Sequence, residues 1–145
     1  ERFKDLLEIS QSENNVIQDR TIYEGVYVFT ANNYAMGNLD ERDYETYMEL
    51  FEDMTHAVRY PDLMLYLQAS VSHLVANIEK RGRNYEQRMP LDYLENINKR
   101  YEDFIQNQYK GRVLTINVDE LDYQNNPKDF GFITDKIDRE LFGLF

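Results

Sequence analysis

Cysteine is absent from the chain, and histidine occurs only twice. The first absence rules out a disulfide framework and any thiolate-bound metal, and two isolated histidines are too few for a zinc centre. A reducing, cytoplasmic setting fits this composition. No apolar run approaches the ~20 residues that a membrane-spanning helix needs, and Glu1-Arg2-Phe3-Lys4-Asp5 does not read as a signal peptide. Basic residues are scarce, 16 against 27 acidic ones, giving a formal net charge of -11. Such a chain has no general attraction for nucleic-acid polymers or anionic membranes, whose phosphates call for an excess of Lys and Arg. Any anion site must therefore be local. Repeats, low-complexity stretches and Pro/Gly/Ser linkers are also missing, which predicts a single domain over residues 1–145.

What is present suits a packed α/β domain. Apolar residues make up 42% of the chain and aromatic ones 14%, enough for a core in 145 residues. Three short runs, Asn15–Gln18, Leu63–Leu67 and Val113–Val118, have strand length, and the latter two are apolar on both faces. Helical spacing lies between them. Asp40 precedes Tyr44, Tyr47, Met48, Phe51 and Met54, while Ser70 precedes Leu74, Val75 and Ile78, with Gly82 as the stop. Pro90 opens a helix carrying Leu94, Ile97, Tyr101, Phe104 and Ile105, which Gly111 is expected to close. Asn126-Pro127 starts the last, with Phe130, Ile133, Ile137 and Leu141 expected inward. Alternating strands and helices predict a parallel sheet with right-handed crossovers.

In open α/β sheets, ligands bind beyond the carboxyl ends of the strands, so polar residues after each run are the first site candidates. Asp19-Arg20-Thr21 follows the first run; the alternative is an ordinary structural ion pair. Lys80-Arg81-Gly82-Arg83-Asn84-Tyr85-Glu86-Gln87-Arg88 concentrates positive charge in an acidic chain. Clustered guanidinium groups suit phosphoryl transfer because they neutralise charge spread over the transferring oxygens, although a solvated basic turn has the same composition. Asn117-Val118-Asp119-Glu120-Leu121-Asp122 follows the third run and reads as an acidic turn rather than a metal site. Most of the 12 tyrosines lie at helical spacing and are expected in the core or at an interface. His56 and His73 have no partner at catalytic spacing and read as surface helix residues.

Taken together, Asp19-Arg20-Thr21-Ile22-Tyr23-Glu24, Tyr66-Leu67-Gln68-Ala69-Ser70, the Arg81–Gln87 segment and Pro90-Leu91-Asp92-Tyr93-Leu94 resemble the deoxynucleoside kinase family, in order and spacing from about Asn15 onward. The resemblance implies a three-layer P-loop kinase-type parallel sheet with flanking helices, and transfer of the ATP γ-phosphoryl group to the 5′-hydroxyl of a deoxynucleoside, a purine one being expected. It assigns Asp19 and Arg20 to the catalytic acid-arginine pair and Arg81 and Arg83 to a phosphate-binding lid over about residues 80–89. It assigns Glu86 and Tyr23 to the substrate, and Asp119 and Glu120 to the loop against the donor base. ATP with Mg2+ and homodimerisation through helices are implied as well. Catalysis would rest on positioning, electrostatics and exclusion of water.

Three departures qualify that reading. Asn77 stands where many family members carry a further lid arginine, and Gly25 stands where the family has its base-recognising acid. The third is that no G-x-x-x-x-G-K-[ST] loop and no upstream general base occur in these residues. The sheet is expected to lack its first, central strand, and the natural protein is expected to extend upstream. This polypeptide alone is expected to be inactive. A nucleoside monophosphate kinase and a noncatalytic helical interaction domain are the competing readings.

Overall fold

The structure is a computed structural model that describes residues 1–86 and 88–143; Gln87 of the basic segment lies outside the described residues. In chain order the elements are α1 (Arg2–Gln11), α2 (Ile22–Glu24), a π-helical turn (Gly25–Thr30), α3 (Ala31–Ala35) and α4 (Glu41–His56). β1 (Met64–Gln68), α5 (Val71–Arg81), α6 (Leu91–Asp103), a second π-helical turn (Phe104–Gln108), β2 (Val113–Asn117) and α7 (Pro127–Phe142) follow. The chain divides into two compact units, residues 1–60 with 96–109 and residues 61–95 with 110 onward. Among the described residues, no helix is long and apolar enough to cross a membrane.

The first unit is helical and aromatic. Asp40 caps α4 by accepting the Asp43 N–H at 2.8 Å, and α4 buries Phe51. Around Phe51 gather Tyr23 at 5.7 Å and Tyr27 at 5.5 Å between ring centroids, each edge-on. Tyr23 also stacks on Tyr60 at 4.9 Å and meets Tyr109 at 5.4 Å, while Tyr27 stacks on Phe104 at 5.8 Å. Phe104 and Val28 are wholly buried. The hydroxyls of Tyr23 and Tyr109 are buried without a hydrogen-bond partner among the described residues. Burial, then the neighbouring Tyr60 and Tyr27 phenols, push the Tyr23 pKa up to about 12, and burial raises Tyr109 likewise.

The second unit carries the sheet. β1 and β2 pair in parallel, Met64 opposite Val113 through Gln68 opposite Asn117. The ladder continues at both ends, from the Met64 N–H to the Arg112 carbonyl and from the Val118 N–H to the Gln68 carbonyl, each at 2.9 Å. Its core is Ala69, Ile116, Val118 and Ile133, against which Leu74 of α5 and Ile137 of α7 pack. Ser70, Gly82 and Asn126-Pro127 punctuate these helices as their chemistry predicts. Ser70 accepts the His73 N–H, Gly82 closes α5 at φ 65°, and Asn126 accepts the Lys128 N–H.

Three expectations are corrected. Asn15–Gln18 forms no strand: β1 and β2 pair only with each other among the described residues, and an extended segment without a ladder is not a strand. Its Val16 and Ile17 are exposed, Ile17 completely. Gly111 does not close the helix from Pro90. The π-helical turn ends it earlier, where the Tyr109 N–H reaches the Phe104 carbonyl at 2.8 Å and Tyr109 is extended. Phe130 and Leu141 are exposed rather than inward. They share a stripe with Ile133 and Ile137, but a 16-residue helix, about 24 Å long, overruns a five-residue strand of roughly 17 Å.

The aromatic core carries a prediction for alkaline pH. An unfolded chain sheds tyrosine protons near pH 10, whereas folded Tyr23 keeps its proton to about 12. Its contribution is therefore full below pH 10 and is lost as pH rises through 12. Urea denaturation across that range should show the decline, and Tyr23→Phe should reduce it. At neutral pH Tyr23→Phe should leave stability within about 0.5 kcal/mol or raise it, since the hydroxyl has no partner to lose. A large loss at neutral pH would refute the unpaired assignment.

Candidate active site

Asp19 and Arg20 end the exposed segment before α2, and Thr21 turns the chain into the helix. Thr21 accepts the Tyr23 N–H at 3.2 Å, and the Glu24 carboxylate accepts both the Thr21 N–H at 2.9 Å and the Thr21 hydroxyl. This reciprocal capping box consumes Glu24, which is buried and does not reach outward. Immediately before it, Arg20 adopts φ 61°, the sole non-glycine residue with positive φ among the described residues. The left-handed region costs an L-residue about 1–2 kcal/mol. Arg2 braces the turn, its Nη1 donating to the carbonyls of Asp19 and Arg20 at 3.1 Å each.

Both side chains stay available. Asp19 and Arg20 are exposed, and neither joins an ion pair among the described residues, so the pair is not a structural salt bridge. The Arg20 guanidinium lies 5.2 Å from the Phe29 ring centroid, which orients it without neutralising it. Asp19 borders an open depression of about 360 Å³ shared with Arg2, Asp5 and Ile17. Burial raises the Tyr101 pKa, Glu24 adds to the rise, and Arg20 opposes it. Tyr23, expected at the substrate, sits 2% exposed inside the aromatic core.

The second cluster is the basic turn after α5. The Glu86 carboxylate is buried and receives a two-pronged bond from Arg81, Nε to Oε2 and Nη2 to Oε1, each at 2.8 Å. Arg83 adds Nη1 at 3.6 Å from Oε1 and donates to the Tyr85 hydroxyl at 3.2 Å. That hydroxyl, followed by the nearby charges, raises the Arg83 pKa further. Half of each arginine side chain remains exposed. The turn thus presents two fixed guanidinium groups over a buried counter-charge, an arrangement suited to a multiply charged oxyanion.

Asp119 and Glu120 follow β2 in the same unit. Asp119 Oδ1 accepts the Ser70 N–H at 2.8 Å and lies 4.0 Å from His73 Nδ1, whereas Glu120 is exposed. His73 is therefore a partner of Asp119 rather than an isolated surface residue. No local pattern signals either this contact or the brace from Arg2, because both join residues remote in sequence.

Relief of strain at Arg20 is measurable. Arg20→Gly should stabilise the fold by about 1 kcal/mol in urea denaturation while removing the guanidinium, and Arg20→Ala should not stabilise it. Equal stabilities for Gly and Ala would disprove the strain.

Comparison with known proteins places the chain. The family model for deoxynucleoside kinase matches residues 1–142. Deoxyadenosine/deoxycytidine kinase of Bacillus subtilis is 32% identical over 139 residues, spanning 94% of this chain and 64% of the relative. Deoxyadenosine kinase of Dictyostelium discoideum is 37% identical over 105 residues, spanning 72% of this chain and 42% of the relative. The chain thus spans about two-thirds of one curated relative and less than half of the other. Solved deoxyadenosine kinase from M. mycoides, with products dCMP and a flexible dCDP bound, superposes with a TM-score of 0.76 at 31% identity, over 94% of this chain and 68% of that one. The same enzyme with bound dATP gives a TM-score of 0.75 at 30% identity, with the same coverage. Their parallel sheet with flanking helices is the P-loop kinase fold, and with the match over residues 1–142 it follows that the chain belongs to the deoxynucleoside kinase family.

Proposed function

We propose that these residues supply the arginine lid and the acid-arginine pair of a kinase that transfers the γ-phosphoryl group of ATP to the 5′-hydroxyl of a deoxynucleoside. The observation that carries this reading is the pair of half-exposed guanidinium groups of Arg81 and Arg83, held in place by buried Glu86. Phosphoryl transfer needs positive charge fixed in advance at the oxygens that gain negative charge. Arg81 and Arg83 would bind the donor phosphates and Arg20 the region of the 5′-oxygen. Asp19 would position water or metal, and Glu86 would offer an oxygen to the sugar 3′-hydroxyl. Glu120 would face the donor base. Tyr23, buried in the aromatic core, would support the acceptor site from behind.

Mg2+ would accompany ATP and offset phosphate charge. Among the described residues no three His, Cys, Asp or Glu side chains come together, and Mg2+ beside ATP is commonly held by one or two carboxylates together with the phosphates. A purine acceptor is supported by relatives that are deoxyadenosine and deoxyguanosine kinases. Gly25 leaves room at the position where the family has an acid, since an added Cβ would meet nothing closer than the Tyr47 hydroxyl at 4.0 Å. Homodimerisation is supported by α4, which exposes Tyr47 and Leu50 beside the stacked Tyr34–Tyr44 pair. Leu50→Glu should shift a dimer toward monomer in sedimentation equilibrium.

Activity is the decisive test. The 145 residues contain no G-x-x-x-x-G-K-[ST] loop, so this polypeptide alone should phosphorylate none of the four deoxynucleosides. In a kinase that joins them to such a loop, Arg20→Ala and Arg81→Ala should each lower kcat on the order of 10³-fold. Phosphorylation of a nucleoside monophosphate but not of a free nucleoside would assign the chain to a different acceptor class. Full activity in both variants would leave only a helical interaction role.

A further inference from the structure

We infer that Asp119 is a positioning residue, a tether that fastens the first turn of the lid helix α5 to the loop after β2. Sequence resemblance assigns this carboxylate to the donor base, but the structure shows it already engaged. Its Oδ1 accepts the Ser70 N–H at 2.8 Å across 49 residues of sequence, partly buried, and stands 4.0 Å from His73 Nδ1. Ser70 is the residue that caps α5, its hydroxyl accepting the His73 N–H at 3.2 Å. Asp119 is itself held, its N–H donating to the Asn117 side-chain oxygen at 3.0 Å just past the last rung of the ladder. A carboxylate here also places negative charge at the positive end of the α5 dipole.

What the tether positions is the far end of the helix. α5 is a single 11-residue rod from Val71 to Arg81, and Arg81 is the residue whose guanidinium grips Glu86. A rod fixed at its first turn transmits that anchoring to its last. A loop that shifts when a nucleotide base settles against it therefore moves Asp119, the N-terminus of α5 and the arginine turn together. Glu120, exposed, is left as the residue of this pair that can touch the base.

The inference rests on the kinase reading for its consequence but not for the contact, and its test separates the two. Amide hydrogen exchange across Ser70–Arg81 in the full chain reads the tether directly. Steady-state kinetics of the kinase that contains the chain read its effect. Asp119→Ala should speed exchange at the Ser70 amide and the first turn of α5 about tenfold. It should also raise the KM for the phosphoryl donor about tenfold, the scale of one lost hydrogen bond, with the nucleoside KM within about twofold. Asp119→Asn, which keeps an oxygen to receive the Ser70 N–H, should restore both. Unchanged exchange in Asp119→Ala overturns the tether. Restored exchange in Asp119→Asn without restored donor KM also overturns the inference, because the charge would then act on the donor itself. Should Asp119→Ala fail to fold, Asp119→Ser carries the same expectations. If the unsubstituted kinase phosphorylates no deoxynucleoside, the functional reading fails while exchange still decides the contact.

Discussion

Parallel pairing of β1 with β2 is the constraint on which the second unit depends. Strands running the same way cannot be joined by a tight hairpin, so the chain between Gln68 and Val113 must travel out and return. α5, the arginine turn and α6 make up that passage. The register then determines what lies at its ends. With Gln68 opposite Asn117, and Val118 bonded back to Gln68, the residues after both strands emerge side by side, and Ser70 meets Asp119 there. The polar residues of this unit are gathered by the ladder and not by any local motif, in keeping with the rule that α/β sheets bind ligands beyond their carboxyl ends.

Much of this was legible beforehand because it is written in local chemistry. Asp40, Ser70 and Asn126-Pro127 start their helices through side-chain bonds that need only a few neighbouring residues, and Gly82 ends one because it alone is at ease at φ 65°. The arginine turn was legible for the same reason: Arg81, Arg83 and Glu86 lie within one short segment. Features that depend on distant partners were not. An apolar run such as Asn15–Gln18 states a preference, but a strand exists only through its ladder. Arg2 bracing Arg20, and Asp119 holding Ser70, join residues whose spacing has no meaning until the chain has folded. Tyr23 was readable as a motif position but not as a core residue, because burial follows from what Phe51, Tyr60 and Tyr109 bring to it.

Two buried glutamates show how one side chain serves opposite ends. Glu24 and Glu86 are equally shielded from water. Glu24 has its charge answered by a backbone N–H and a hydroxyl of Thr21, so it fastens the helix start. Glu86 has its charge answered by guanidinium groups that are themselves half in solvent. An incoming anion would compete for those groups, so the carboxylate both aligns the arginines and sets the strength that any rival must exceed.

The π-helical turn at Gly25–Thr30 also determines which way the following side chains face. In an ordinary helix Val26 and Val28 would point some 200° apart, yet both are buried, with Tyr27 between them packed on Phe51 and Phe104. A wider turn takes up one residue more than an α turn, so everything after it is rotated by about one residue, roughly 100°. That rotation brings buried Asn32 round to receive Arg100 Nε at 3.1 Å. The segment is therefore a phase adjuster: shortening it by a single residue would return the following turns to α-helical phase and point Asn32 and Tyr34 at the wrong neighbours.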